Sequence, residues 1–160
     1  MKRISGGVLR SLARSFGHAW SGLSYVYRTQ TNMRIHVLFA VLVGAACIVL
    51  GVGQFEVFMV SVAIAGVLVA EVTNTLAESL TDLMEPRFSR MAKVTKDVAA
   101  AGVLLAAAFS IVIGIAVFLP LLPELPARLY TFWRDRFLYL GIYTVVAVVP
   151  AVLGTWKGEG

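Results

Sequence analysis

Long uncharged stretches, and the polar residues that interrupt them, set the outline of this chain. Four stretches carry no Asp, Glu, Lys or Arg: residues 35–55 (21 residues), 57–70 (14), 98–123 (26) and 137–156 (20). A helix needs about 20 apolar residues to cross the hydrocarbon of a bilayer. The first, third and fourth stretches reach that length, whereas the second ends after roughly 21 Å of helical rise. To cross, it must run on through Glu71 to Leu76 or thereabouts. Length alone therefore predicts a glutamate inside the membrane or at its boundary.

Behind that glutamate, AEVTNTLAESLTD (residues 70–82) repeats polar groups at helical spacing. With Glu71 at zero on a helical wheel, Asn74 falls at about −60°, Glu78 at about −20° and Asp82 at about +20°. A lone acid at a span end is more often a carboxylate that closes the span and pairs with Lys or Arg. Four polar groups on one stripe favour a functional face, because carboxylates at membrane depth are expensive and ordinarily face a cavity or partner. A water-poor Glu71 suits a general base for a weakly acidic hydroxyl. Glu78, two turns nearer water, suits a hard divalent cation bound through oxygen. Asn74 can hydrogen-bond to either. The spacing permits a site that joins a lipid alcohol to a water-soluble phosphate donor.

Charge adds an orientation. The first 34 residues hold Lys2, Arg3, Arg10, Arg14, Arg28 and Arg34 and no acid, and residues 77–97 hold Arg87, Arg90, Lys93 and Lys96. The short turn GVGQFE between the first two spans has no basic residue. By the positive-inside rule, the N-terminus and the 77–97 loop are cytoplasmic. Arg128, Arg134 and Arg136 then fall on the wrong side, which weighs against the fourth span more than the others. Composition agrees with a membrane protein: 59% of residues are hydrophobic, 14% are charged, and the mean hydropathy is +0.83. The net charge of +5 sits beside apolar spans, where lipid and topology account for it better than nucleic acid. The one cysteine, Cys47, gives neither a disulfide framework nor a metal-ligand pair.

Ahead of the first span, Leu12, Phe16, Trp20, Leu23 and Tyr27 fall within an arc of about 80°, opposite Arg10, Arg14 and Arg28. This pattern describes an amphipathic helix, lying at the interface with its arginines toward headgroups or packed on the spans. It is not a signal peptide: it is too long before the apolar run and has no clear cleavage site. In AKVTKDVAAAGVLL, Lys96 and Asp97 precede the third apolar run. A lysine there could neutralise phosphate oxygens and an aspartate could orient it or a metal, although snorkelling and helix capping explain a KD pair equally well. No P-loop or GxGxxG pattern is present.

Taken in order, NMRIH (residues 32–36), EVTNTLAESLTD (71–82) and AKVTKDVAAAGVLL (92–105) make this chain similar to the prokaryotic diacylglycerol kinase family. The RIH and AKxxKDVAA forms resemble its undecaprenol kinase branch, typical of Gram-positive bacteria. The resemblance covers roughly residues 8–120. It implies an all-α integral membrane protein with an N-terminal surface helix and three transmembrane helices; the candidate fourth, C-terminal span read from residues 137–156 has no counterpart in that plan. Residues 1–123 would form the kinase-like membrane domain and 124–160 an extension. It also implies a homotrimer in the bacterial cell membrane, with active sites shared between subunits and the γ-phosphate of Mg-ATP passing to a lipid alcohol at the cytoplasmic face.

Matched residue by residue, the resemblance makes Glu71 the catalytic base, Asn74 a site-organising group and Glu78 a Mg²⁺ ligand. Lys96 and Asp97 would contact ATP, and His18 would sit near an ATP-contacting position. Two departures follow. The family's TERN reads TQTN here, so Gln30 stands where a second metal-binding glutamate is usual. Its amide oxygen can coordinate Mg²⁺ without adding charge, which implies weaker metal binding and leaves open a catalytically weakened or non-catalytic homologue. The MEPRFSR loop also differs from the family's acidic-aromatic-histidine loop, which removes that support for nucleotide contacts by Arg87, Phe88 and Ser89.

Overall fold

A computed structural model describes residues 4–84 and 89–156. All its regular elements are helical: α1 Ile4–Thr29, α2 Thr31–Leu50, α3 Gln54–Met84, α4 Arg90–Phe118, α5 Leu125–Thr131 and α6 Phe137–Trp156. A 3₁₀ segment, Leu119–Glu124, links α4 to α5, and a π-type turn, Phe132–Arg136, links α5 to α6. The chain is an all-α integral membrane protein.

The short apolar stretch does continue through its glutamate. α3 is one helix of 31 residues, and Glu71 lies well inside it. Hydroxyls along it are satisfied locally: Ser61, Thr73, Thr75, Ser79 and Thr81 each donate to the carbonyl one turn back. In apolar surroundings that removes the cost of an unmet polar group.

The apolar stretches overshoot α2 and α4 because the breaks between helices are themselves uncharged. α2 stops at Gly51, whose φ of 60° and ψ of 52° place it in the left-handed region. Its N–H returns to the carbonyls of Cys47 and Ile48, and Val52 N–H reaches Cys47 O at 3.0 Å, a glycine-terminated helix end. α4 ends where Pro120 and Pro123 enter, since proline supplies no backbone donor and clashes with the preceding turn.

From Arg90 to Ala147 the helical run covers 58 residues. Held straight, it would rise roughly 87 Å, about three times the hydrocarbon thickness. It doubles back instead. Arg128 Nη1 donates to Leu50 O at 2.8 Å and Gly51 O at 3.4 Å, and Arg136 Nη1 reaches Ile48 O at 3.5 Å. Further on, Tyr143 Oη donates to Val41 O at 3.1 Å, in the notch left by Gly44. The first part of α6 thus runs antiparallel to α2.

These contacts explain the basic residues that contradicted the positive-inside pattern. Arg128 and Arg136 cap the carbonyl-rich C-terminal end of α2, where a helix presents partial negative charge. Arg128 is further neutralised by Glu124, and Arg134 pairs with Asp135. Gly51 serves both purposes, because a Cβ there would meet the Arg136 guanidinium.

Replacing Gly51 with Ala should therefore lower stability by about 1–3 kcal/mol, through the strained φ and the displaced guanidinium. Gly66→Ala, in mid-α3 with open space around its would-be Cβ, should be neutral or stabilising by up to about 1 kcal/mol. Thermal unfolding in detergent compares the two. A Gly51→Ala protein that melts with the wild type would rule out the clasp.

Candidate active site

The acidic stripe on α3 is graded by depth. Glu71 is 0% exposed and Asn74 6%; Glu78 is half-buried, and the Asp82 side chain is 65% exposed. Both Glu71 carboxylate oxygens and Asn74 Oδ1 are buried with no hydrogen-bond partner. A buried acceptor left unmet costs about 1–3 kcal/mol, and more when charged. Asn74 bonds at least through its Nδ2, whereas the Glu71 side chain makes no hydrogen bond at all, so Glu71 is singled out.

Gln30 enters the site through a break in the helical path. With φ of −102° and ψ of 118°, it is the single extended residue between α1 and α2. At a helix start its side chain could cap the free amides, but no such bond forms. Its Nε2 donates instead to Glu78 Oε2 at 3.3 Å, while Asn74 Nδ2 donates to Glu78 Oε1 at 3.1 Å. Glu78 is held between two amides, one from its own helix and one from the elbow.

The sequence-predicted residues do not all converge. Gln30, Glu71, Asn74 and Glu78 come together. Lys96 forms an ion pair with Asp82, one turn beyond Glu78 toward the helix end. Asp97 is exposed and has no hydrogen bond or ion pair among the described residues. Neither residue caps α4, which opens earlier, at Arg90, with Ser89 Oγ accepting from Ala92 N–H at 3.0 Å. His18 is exposed on α1, about 18 Å along the helix from Gln30. Ser89 is thus a helix cap, and Arg87 and Phe88 lie outside the described residues.

One residue escaped the sequence reading although its motif was quoted. His36, in the RIH of NMRIH, lies on the neighbouring helix within electrostatic reach of Glu71, as does Glu78. Beneath this pair is an apolar cavity of about 390 Å³ between α2, α3 and α4. It runs from Ile35, His36 and Leu68 at the site end to Val43, Val60 and Phe118 deeper in the bundle. The signal was the histidine itself, an imidazole at the start of an otherwise apolar span.

The oxygen donors suit Mg²⁺, which takes hard ligands and ordinarily uses one or two carboxylates plus substrate phosphates. Glu78 offers the carboxylate, and the amides of Gln30 and Asn74 offer oxygens, of which Asn74 Oδ1 is unpartnered. Among the described residues no three or more His, Cys, Asp or Glu side chains are placed to hold a metal ion between them. This donor set fits a cation completed by a bound phosphate rather than a closed protein cage.

A family model, "Prokaryotic diacylglycerol kinase", matches residues 17–118, which is more than half of the chain. The chain belongs to the prokaryotic diacylglycerol kinase family. Among its relatives, the diacylglycerol kinase of Synechocystis sp. is 37% identical over 114 residues, covering 71% of this chain and 65% of that protein. The undecaprenol kinase of Bacillus subtilis is 32% identical over 112 residues, covering 70% of this chain and 91% of that one. The match thus spans just under two thirds of the cyanobacterial relative. No solved structure matches. The family match ends at Phe118, the last residue of α4, so α5 and α6 lie beyond it.

Gln30→Glu should set a second carboxylate against Glu78. Without metal, the like charges should lower the melting temperature; with millimolar Mg²⁺, the variant should gain more thermal stability than the wild type. Glu78→Gln should lose the Mg²⁺ response. An unchanged metal response in Gln30→Glu would remove Gln30 from the metal site.

Proposed function

We propose that the protein is an ATP-dependent kinase that phosphorylates a membrane lipid alcohol, with Glu71 as its general base. The observation that carries this reading is a wholly buried carboxylate with no hydrogen-bond donor, set beside a second carboxylate nearer water. A carboxylate in that state is short of one proton-bearing partner, and an alcohol hydroxyl supplies it.

In the proposed reaction, the alcohol hydroxyl donates to Glu71. Its oxygen attacks the γ-phosphorus of ATP, the new O–P bond forms as the bond to the β-phosphate oxygen breaks, and the electron pair leaves with ADP. The proton passes to Glu71. Catalysis of this kind rests on positioning and charge neutralisation more than on covalent chemistry. Mg²⁺, held by Glu78 with Gln30 and Asn74, would neutralise phosphate charge. Asn74 would keep Glu78 directed toward the metal, as its 3.1 Å bond already does. The apolar cavity would exclude water and receive the lipid.

Lys96 and Asp97 are the residues proposed to meet the nucleotide, with His18 at its edge. One chain does not bring them to Glu78, and a homotrimer with shared sites, as the family resemblance implies, would supply them from a neighbour. The same reading puts the N-terminus and the site on the cytoplasmic side of a bacterial cell membrane. α6 would be a fourth crossing, within an extension of residues 124–160 added to the kinase-like domain of residues 1–123. Undecaprenol and diacylglycerol are the two candidate substrates, with the motif forms favouring the polyprenol.

A second reading, a weakened or non-catalytic homologue, is favoured by one observation: Gln30 meets Glu78 with a neutral amide. Lipid-dependent ATP consumption in nanodiscs, with both alcohols side by side, tests both readings. The wild type should turn over, and Glu71→Gln should fall by about 10²- to 10⁴-fold. Equal rates in both proteins would eliminate Glu71 as the base. An inactive wild type that Gln30→Glu revives would establish the weakened homologue.

A further inference from the structure

His36 has no assigned role, and its surroundings supply one. It is half-buried on α2 and makes no side-chain hydrogen bond among the described residues. Of the side chains lining the apolar cavity, only His36 and Ser110 are polar, and His36 alone is ionisable. His36 and Glu71 stand at comparable sequence distances on either side of the turn between α2 and α3, so an antiparallel pair brings them within about one helical turn of each other.

The two groups have complementary deficits. Glu71 offers carboxylate oxygens with no donor. An imidazole has an N–H to give, on whichever ring nitrogen carries the proton, and here that N–H has no acceptor. The buried Glu71 oxygens call for a donor, and a group placed between the two residues would meet both. A hydroxyl does so: its hydrogen goes to Glu71 while one oxygen lone pair accepts from His36. The second lone pair stays free.

We infer that His36 is the hydroxyl-orienting residue of this site, holding the oxygen of a long-chain alcohol between its own N–H and Glu71 while the alcohol's chain lies in the cavity below. This rests on the lipid-kinase reading for its chemistry but not for its test, because orientation is visible in binding alone. The inference goes beyond the base assignment. It makes α2 a contributor to substrate recognition, and it makes the hydroxyl, rather than the chain, what the site end of the cavity reads.

The test uses the full chain in nanodiscs, with geranylgeraniol and the matching hydrocarbon that lacks the hydroxyl as probes. Equilibrium binding is measured for wild type, His36→Gln, His36→Leu and His36→Phe. Wild type should prefer the alcohol. His36→Leu should lose about tenfold in affinity for the alcohol and nothing for the hydrocarbon, the loss of one hydrogen bond. His36→Gln, which keeps an N–H, should stay within about threefold of wild type. His36→Phe keeps the ring volume without the donor and repeats the measurement if His36→Leu fails to fold. Unchanged alcohol affinity in the apolar variants, or an equal loss for both probes, would overturn the inference, the latter marking a packing role. A wild type that binds the alcohol with this preference but never phosphorylates it would remove the kinase reading and leave the His36 assignment standing.

Discussion

A carboxylate without a partner, kept at zero exposure inside an apolar helix, is the constraint around which this protein is arranged. Taking an ionised group out of water costs several kcal/mol even after the surroundings relax. A membrane protein of this size has little stability to set against such a term. The helix could have avoided it: Val or Leu at position 71 would continue the apolar run without interruption. That the span is instead built so that it cannot cross without Glu71 ties the fold to the chemistry.

The surrounding structure answers that constraint by sorting polar groups to two ends. At the site end, Gln30, Asn74 and Glu78 are tied to one another, His36 and Glu71 are left with capacity to spare, and the Lys96–Asp82 pair marks the way out to water. At the far end, Arg128 and Arg136 each give one Nη1 to the carbonyls that close α2, and the rest of the Arg128 guanidinium bonds to Glu124. Between the ends the spans are apolar, and hydroxyls such as Ser61, Thr73, Thr75 and Thr144 bond to their own backbone. Among the described residues, the buried side-chain atoms left unmet, on Glu71 and Asn74, therefore collect at one end of the bundle.

Much of this was legible in the sequence, and what was missed has physical causes. Counting uncharged residues forced Glu71 into the span, and the helical wheel lined up Asn74, Glu78 and Asp82; the graded burial reproduces that stripe. The bounds of α6 coincide with the uncharged stretch 137–156. The ends of α2 and α4 were overshot because glycine and proline end a helix without carrying charge. The partner of Gln30 and the level of His36 depend on how far each helix runs from the α2–α3 turn, a tertiary register that no local pattern encodes. The three arginines after α4 looked anomalous only because the positive-inside rule counts charge and is blind to hydrogen bonds.

That clasp carries a consequence for how the molecule is made. The carbonyls at the end of α2 receive their guanidinium donors from residues 78 and 88 positions later in the chain. During synthesis, the local cap by Gly51 and Val52 can serve Cys47 and Ile48, but the Leu50 and Gly51 carbonyls must wait for Arg128 until two further long helices have emerged. A chain cut after Phe118 would keep every residue of the family match and remain in that waiting state. Arg128 and Arg136 thus supply the last bonds that complete the first span.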